Sequence, residues 1–220
     1  MIDLAAAFWA FTLGYLLVTP FLVFLRGQVL AFVAGGTVVA LAAILVEEVV
    51  QGLAGPVYGP SFVLVMFAPL TEELLKFGVS GATGQDYRSA AGVGAGFAAS
   101  ENAVYFLAAW GEPTSVLVAL IAVRVLTDPL LHITASTLAT LSWRGHPYGL
   151  PLAILLHMGW NSATLVFGLL QPAPAVLLLL AASFTVLGIL VALRRNPSLR
   201  TALRPRRGPA SPWAARSAVT

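Results

Sequence analysis

The sequence predicts an all-α protein, a polytopic membrane helix bundle with about seven transmembrane helices. The chain is 59% hydrophobic and only 10% charged, whereas a soluble domain has about 25% charged residues. Apolar runs of about 20 residues, the length needed to cross a bilayer as a helix, recur along the sequence. Short connections rich in glycine and proline separate these runs. The absence of cysteine excludes disulfides, thiolate catalysis and cysteine-bound metals.

Taken in order, the apolar runs define the predicted spans. The first run is too long for the apolar part of a cleaved signal peptide and lacks a basic start. Turn pairs such as Gly55-Pro56 and Gly59-Pro60 mark where one span ends and the next begins. The spans cover roughly residues 4–25, 29–51, 61–80, 89–110, 114–142, 148–170 and 174–193.

The basic residues predict the orientation of the bundle. When the spans alternate in direction, Arg26, Arg88, Arg144 and the C-terminal tail fall on one side, and the opposite loops contain no Lys or Arg. Cytoplasmic loops carry an excess of basic residues. We therefore expect a multi-pass protein of the cell (cytoplasmic) membrane, with its N-terminus outside and its C-terminus in the cytoplasm.

Two regions differ in composition. Residues 1–193 form the predicted membrane-embedded domain, whose core helices occupy about 61–170. Residues 194–220 hold seven of the 12 Lys and Arg residues together with many Pro and Ala, which predicts a basic, disordered cytoplasmic tail. Such a tail is expected to contact anionic lipid of the bilayer. It lacks the folded platform or interleaved aromatic residues typical of nucleic-acid binding, so no nucleic-acid partner is expected.

Polar side chains interrupt four consecutive predicted spans. Such groups within a bilayer are costly and are therefore functional candidates. Counting about 1.5 Å per residue from the cytoplasmic end of each helix places them at similar depths, within roughly 8 Å. The sequence thus predicts one polar pocket in the cytoplasmic half of the membrane. Its expected members are Glu72, Glu73, Glu101, His132, His157 and Asn161.

Helical spacing adds further charged residues to this pocket. Lys76 follows Glu72 by four residues and Glu73 by three, so it can reach either carboxylate. Arg124, Asp128 and His132 are spaced by four along another helix. Burying the three charged groups of the 61–80 span in lipid would cost about 9 kcal/mol, against about 5 kcal/mol returned by its apolar residues. That helix must therefore be enclosed by polar partners.

Two other features carry structural expectations. Gly92, Gly96 and Ser100 form a strip of small residues that permits close approach of a neighbouring helix. Glu47 and Glu48 fall about 20 residues into the second span. We expect this pair at the exoplasmic interface.

The polar inventory suits peptide hydrolysis by activated water. Two adjacent carboxylates in a low-dielectric site cannot both ionise cheaply, so one is suited to take a proton from water and return it to a leaving amine. An imidazole and an amide on a facing helix could stabilise the oxyanion.

Alternative interpretations remain open at this point. Gly78-Val79-Ser80-Gly81 resembles a serine-protease motif, although Ser80 lies at a helix end. A metal bound by carboxylates and imidazoles is chemically feasible, but no HExxH or GxGD motif occurs. A non-catalytic scaffold or partner subunit would use the same charges only to hold helices together. A proton-coupled transporter lacks the expected inverted repeat.

The motifs across roughly residues 61–165 resemble those of the PrsW family of intramembrane proteases, related to the CAAX prenyl endopeptidases. The resemblance rests on the EExxK motif at Glu72-Glu73 with Lys76, the GFAxxEN motif ending in Glu101-Asn102, Arg124 with His132, and the HxxxN motif of His157 and Asn161. The chain departs from the wider group in having Glu101 in place of a histidine and Lys76 one position before the usual arginine.

The resemblance implies a glutamic-type intramembrane endopeptidase without a metal or other cofactor. Its substrate would be a single-span membrane protein such as an anti-sigma factor. The Glu72/Glu73 pair would activate water, with Glu72 as the base, and Glu101 and His132 would orient the site. His157 and Asn161 would stabilise the oxyanion. Supporting positions are implied for Lys76, Asn102 and Arg124.

Overall fold

The computed structural model describes residues 4–24, 28–84 and 86–168. All regular structure in these ranges is helical, which confirms the predicted all-α class. The predicted seventh span, 174–193, and the tail, 194–220, lie outside the described residues. Six helices are described: α1 (Leu4–Phe24), α2 (Val29–Tyr58), α3 (60–83), α4 (Tyr87–Ala108), α5 (Thr114–Ala139, followed by a 3₁₀ turn Thr140–Arg144) and α6 (Gly149–Gly168).

Two helices of the described part are long and apolar enough to cross a membrane. They are Val29–Tyr58 and Thr114–Trp143, each 30 residues long, and less than half of the apolar stretch in each is buried. Helix α2 exposes several large apolar side chains, including Leu30, Leu45 and Leu53.

The helix ends follow from local sequence. The Asp86 carboxylate accepts hydrogen bonds from the backbone N–H groups of Arg88 and Ser89 at 2.8 and 2.9 Å, which caps the N-terminus of α4. Gly59 separates α2 from α3 with a positive φ of 84°, a conformation that disfavours residues with a Cβ. Pro60 then begins α3, because a proline at the first helical position loses no hydrogen bond.

Helices α2 and α3 each contain a π-helical segment, at Gly35–Val39 and Val63–Phe67. A π-turn leaves a backbone carbonyl without its usual helical partner. In α2 the Gly36 carbonyl accepts a hydrogen bond from the Ser100 hydroxyl at 2.6 Å, and the same hydroxyl lies 2.7 Å from the Tyr15 hydroxyl. These contacts tie α1, α2 and α4 together through their backbones and short side chains.

Helix α4 forms the centre of the bundle and packs against α1, α2 and α5. Its small residues allow this, as the strip of small residues predicted. A Cβ placed on Gly96 would overlap the Phe32 carbonyl of α2, and one on Gly94 would overlap the His132 carbonyl of α5. Backbone therefore packs directly on backbone at both faces of α4.

Helices α4 and α5 run antiparallel where their side chains meet. Gly94 near the start of α4 lies against Ser136 near the end of α5, whereas Asn102 further along α4 bonds to Arg124 nearer the start of α5. Short connections between successive helices produce this arrangement. It brings the middle of α3, α4, α5 and α6 together.

Candidate functional site

Helix α3 supplies a buried ion pair at the centre of the site. The Lys76 ammonium lies 2.6 Å from Glu73 Oε1 and 3.6 Å from Glu72 Oε2. Lys76 and Glu73 are fully buried. A buried charge is tolerated when it is paired and hydrogen-bonded. The positive charge of Lys76 and the negative charge of Glu73 therefore compensate each other. Glu72, also buried, is left outside this short pair.

His132 of α5 extends the pair toward α4. Its Nδ1 lies 2.8 Å from the Lys76 ammonium, and its Nε2 lies 2.7 Å from Glu101 Oε2. An ammonium group can only donate hydrogen bonds. Nδ1 is therefore the acceptor and Nε2–H donates to Glu101, which fixes one neutral tautomer. The ring of His132 thus has both nitrogens engaged.

His157 of α6 binds the other side of the ion pair. Its Nδ1 is 2.9 Å from Glu73 Oε1 and 3.8 Å from Glu72 Oε2. With Nδ1–H donating to Glu73, the neutral ring retains Nε2 as an acceptor. The rings of His132 and His157 meet edge to face at 5.0 Å between centroids. Glu73 therefore orients His157 much as the aspartate orients the histidine of a serine-protease triad.

Arg124 organises the α4–α5 side of the site. Its guanidinium lies 2.9 Å from Asp128 Oδ1 and 3.2 Å from Glu101 Oε1, and its Nε–H donates to Asn102 Oδ1 at 2.8 Å. The same guanidinium stacks on the Tyr105 ring at 3.7 Å, a cation–π contact. The planar donor array of arginine suits several oxygen acceptors at once. Arg124 therefore holds Glu101 beside His132.

The burial pattern divides the site into a closed part and a more accessible edge. The side chain of Glu101 is 23% exposed and that of Arg124 is 15% exposed, whereas Glu72, Asp128 and both histidines are buried.

Several buried polar atoms have no hydrogen-bond partner among the described residues, and such atoms are rare enough to require an explanation. They include Glu72 Oε2, Glu73 Oε2, Asn102 Nδ2 and Asp128 Oδ2.

Asn161 makes a contact that its motif did not predict. It follows His157 by one turn of α6, but its amide donates to the Leu64 carbonyl in the π-helical segment of α3 at 3.0 Å. The other predicted site residues meet one another directly, whereas Asn161 lies at the rim of the cluster. It joins α6 to α3 through a carbonyl that the π-turn released.

Glu47 corrects one expectation. We expected it at the exoplasmic interface with Glu48, but its Oε1 is buried and has no hydrogen-bond partner among the described residues. Glu48 is exposed, as expected. A signal was present, since Ala40, Ala43 and Glu47 are spaced by three and four residues along one face.

The cluster contains the ligand types of a metal site. Ligand atoms of Glu72, His132 and His157 all lie within 4.8 Å of one another, as do those of Glu101, Asp128 and His132. However, the Lys76 and Arg124 cations lie directly beside these groups and already neutralise part of their charge. Both nitrogens of His132 are hydrogen-bonded. A divalent ion would have to displace a fixed cation, so this geometry suits water chemistry better.

Comparison with protein-family models, with curated proteins and with solved structures finds no match. The resemblance to the PrsW family therefore rests on the motifs alone.

Proposed function

We propose that this protein is a glutamic-type intramembrane endopeptidase, in which Glu72 activates a water molecule. The observation that carries the proposal is the unequal state of two adjacent carboxylates. Glu73 Oε1 lies 2.6 Å from the Lys76 ammonium and 2.9 Å from His157 Nδ1. Glu72 Oε2 is 3.6 and 3.8 Å from the same two groups and forms no hydrogen bond among the described residues. A general base needs such an available oxygen in a low-dielectric setting.

The reaction follows from these positions. Glu72 takes a proton from water, and the water oxygen attacks the carbonyl carbon of the scissile peptide. The carbonyl π electrons move onto its oxygen, and this oxyanion needs a nearby positive charge or hydrogen-bond donor. When the tetrahedral intermediate collapses, the C–N bond breaks and the proton held by Glu72 passes to the leaving nitrogen. The products are a carboxyl group and an amine.

The partners of Glu72 have separate tasks. The ammonium of Lys76, 3.6 Å from Glu72, and the ring of His157, 3.8 Å away, supply positive electrostatic potential and a proton-accepting nitrogen beside the reacting water. Glu73 can stabilise His157 when that ring gains a proton, as in the aspartate–histidine pair of serine proteases. Glu101 and Arg124 fix His132 and thereby the position of Lys76.

The proposed setting is the cell membrane, crossed by seven helices with the N-terminus outside and the C-terminus in the cytoplasm. The length and the apolar surfaces of α2 and α5 support this setting. The proposed substrate is a single-span membrane protein, and an anti-sigma factor is the type that the PrsW motifs suggest. A polar site within a bilayer is useful chiefly for a substrate that also lies in the bilayer.

The test is cleavage of single-span reporter proteins by the purified protein in liposomes. Glu72→Gln is expected to abolish cleavage while its thermal unfolding and liposome insertion match those of the wild type. Cleavage should persist in the presence of a chelator. Cleavage retained by Glu72→Gln would refute the proposal, and activity lost with chelator and restored by zinc would instead support a metal-dependent protease.

A structural role is the second candidate, because most charged groups of the site are paired with a group of opposite charge. Lys76 with Glu73 and Arg124 with Asp128 could serve only to join helices, as buried pairs do in many bundles. A scaffold would retain its partner binding in Glu72→Gln and would cleave no candidate single-span protein. The position of Glu72 outside the short Lys76–Glu73 pair favours the enzyme, since a purely structural pair gains nothing from a second buried carboxylate.

A further inference from the structure

His157 is held in one orientation by a carboxylate that is itself fixed. Its Nδ1 lies 2.9 Å from Glu73 Oε1, and the same oxygen lies 2.6 Å from the Lys76 ammonium. All three side chains are buried. Because an ionised carboxylate can only accept hydrogen bonds, the hydrogen between His157 and Glu73 belongs to Nδ1.

The second ring nitrogen of His157 remains available. Nε2 makes no hydrogen bond with any described residue, whereas both nitrogens of His132 are engaged. In a neutral imidazole with its hydrogen on Nδ1, Nε2 carries a lone pair and no hydrogen. His157 can therefore accept a proton through Nε2, but in this state it cannot donate a hydrogen bond to an oxyanion.

The ring of His157 lies beside the proposed base. Glu72 Oε2 is 3.8 Å from His157 Nδ1, and ligand atoms of Glu72, His132 and His157 lie within 4.8 Å of one another. The His132 ring packs edge to face on the His157 ring, which limits its rotation. An oxygen atom that is hydrogen-bonded to Glu72 thus has an imidazole as its neighbour.

Hydrolysis of a peptide bond transfers both protons of water to the leaving nitrogen. At neutral pH the new acid is a carboxylate and the new amine is an ammonium. Glu72 carries one proton at a time, so the hydroxyl proton of the tetrahedral intermediate needs a second acceptor. A positioned side chain that takes a proton while a bond breaks accelerates that step.

We propose that His157 is a second catalytic base, which removes the remaining water proton as the tetrahedral intermediate collapses. This inference rests on the proposed protease function and differs from the oxyanion role that the HxxxN motif implies. Glu72 first gives its proton to the leaving nitrogen. The hydroxyl proton then passes to Nε2 of His157, and the O–H electron pair stays on oxygen as the carboxylate forms. The C–N electron pair departs with the nitrogen.

The cycle closes with both bases restored. Glu73 stabilises the imidazolium of His157, as the aspartate does in a serine-protease triad. The imidazolium gives its Nε2 proton to the released amine and becomes neutral again, with its hydrogen still on Nδ1. The products are a carboxylate and an ammonium whose two added protons both come from water. Because Nε2 both accepts and donates, the ring needs no exchange of tautomer.

The first experiment compares a peptide bond with an ester bond at the same position of a synthetic single-span substrate. An alcohol takes up one proton rather than two and departs more readily than an amine. His157→Asn keeps an N–H for Glu73 at the position of Nδ1 and removes Nε2. We expect kcat to fall about 10²-fold for the peptide, within the range for a positioned acid or base, and less than about tenfold for the ester.

Two matched variants define the outcome. Glu72→Gln should abolish cleavage of both substrates, and His146→Asn, in the connection between α5 and α6, should leave both rates unchanged. Equal losses for peptide and ester in His157→Asn would indicate an oxyanion or structural role and would overturn the inference, while the proposed hydrolysis would stand. Absence of cleavage by the wild type would refute the protease proposal and this inference with it.

The second experiment measures the tautomer of His157 without a substrate. The chain has three histidines, so ¹⁵N-labelled histidine in the intact protein gives few signals, and His157→Asn identifies the signals of this ring. The expected spectrum is that of a neutral ring with its hydrogen on Nδ1 and none on Nε2. A hydrogen on Nε2 would suit donation to an oxyanion and would overturn the inference whatever the cleavage assays show.

Discussion

Lys76 forms its short ion pair with Glu73, at 2.6 Å, although Glu72 lies 3.6 Å from the same ammonium. The difference comes from α6, because His157 also binds Glu73 and fixes its carboxylate beside Lys76. Adjacent glutamates on one helix thereby acquire different surroundings. Glu73 joins α3 to α6, and Glu72 stays outside the short ion pair.

Replacing Lys76 with methionine is expected to destabilise the protein by about 3–5 kcal/mol. The variant keeps the length of the side chain but leaves Glu73 as an unpaired buried charge, which is the costly way to break a buried ion pair. Thermal or denaturant unfolding in detergent measures the change. The double variant Lys76→Met/Glu73→Gln should recover part of the loss, and a larger loss in the double variant would contradict the assigned pairing.

Substitutions of the two glutamates are expected to affect stability and activity differently. Glu73→Gln should lower both the stability and the activity, because it weakens the contacts with Lys76 and His157. Glu72→Gln should change the free energy of unfolding by less than about 1 kcal/mol, since Oε2 has no hydrogen-bond partner to lose among the described residues, yet it should abolish cleavage. Unfolding curves and reporter cleavage on the same preparations distinguish the two. Equal stability losses would show that both residues are structural.

The sequence predicted the helices and most of the cluster for a clear physical reason. Polar residues in apolar segments must face one another, so Glu73, Glu101, His132 and His157 could be placed in one pocket by depth alone. The spacing of Lys76 permitted either glutamate, and only the contact from α6 selects Glu73. The burial of Glu47 Oε1 was not predicted, because it depends on how α2 packs on its neighbours, which residue counting does not capture.

Arg124 is expected to be energetically coupled to Asp128. The guanidinium lies 2.9 Å from Asp128 Oδ1, and the aspartate is buried. Arg124→Met should therefore be strongly destabilising, whereas adding Asp128→Asn removes the uncompensated charge. A double-mutant cycle should yield a coupling free energy of about 1–3 kcal/mol. Additive effects of the two substitutions would mean that this pair does not hold the α5 side of the site.

Gly96 provides a test of the close packing between α2 and α4. A Cβ at this position would overlap the Phe32 carbonyl, so the backbone would have to shift in Gly96→Ala. We expect this substitution to lower the free energy of unfolding by about 1–3 kcal/mol. Gly78 of α3 is the matched control, because a Cβ there has no neighbour within 4 Å among the described residues. Gly78→Ala should be neutral or stabilising by up to about 1 kcal/mol. Equal effects at both sites would contradict the packing.

Substitution of Asn161 distinguishes a structural role, in which it joins α6 to α3, from a catalytic role in stabilising the oxyanion. Its amide donates to the Leu64 carbonyl at 3.0 Å, which occupies one donor and holds α6 against the π-helical segment of α3. Asn161→Ala should therefore cost about 1 kcal/mol of stability and reduce kcat less than about tenfold. Loss of an oxyanion donor would instead reduce kcat about 10²–10³-fold. A reduction of that size at unchanged stability would return Asn161 to the role implied by its motif, with its second amide hydrogen directed at the substrate.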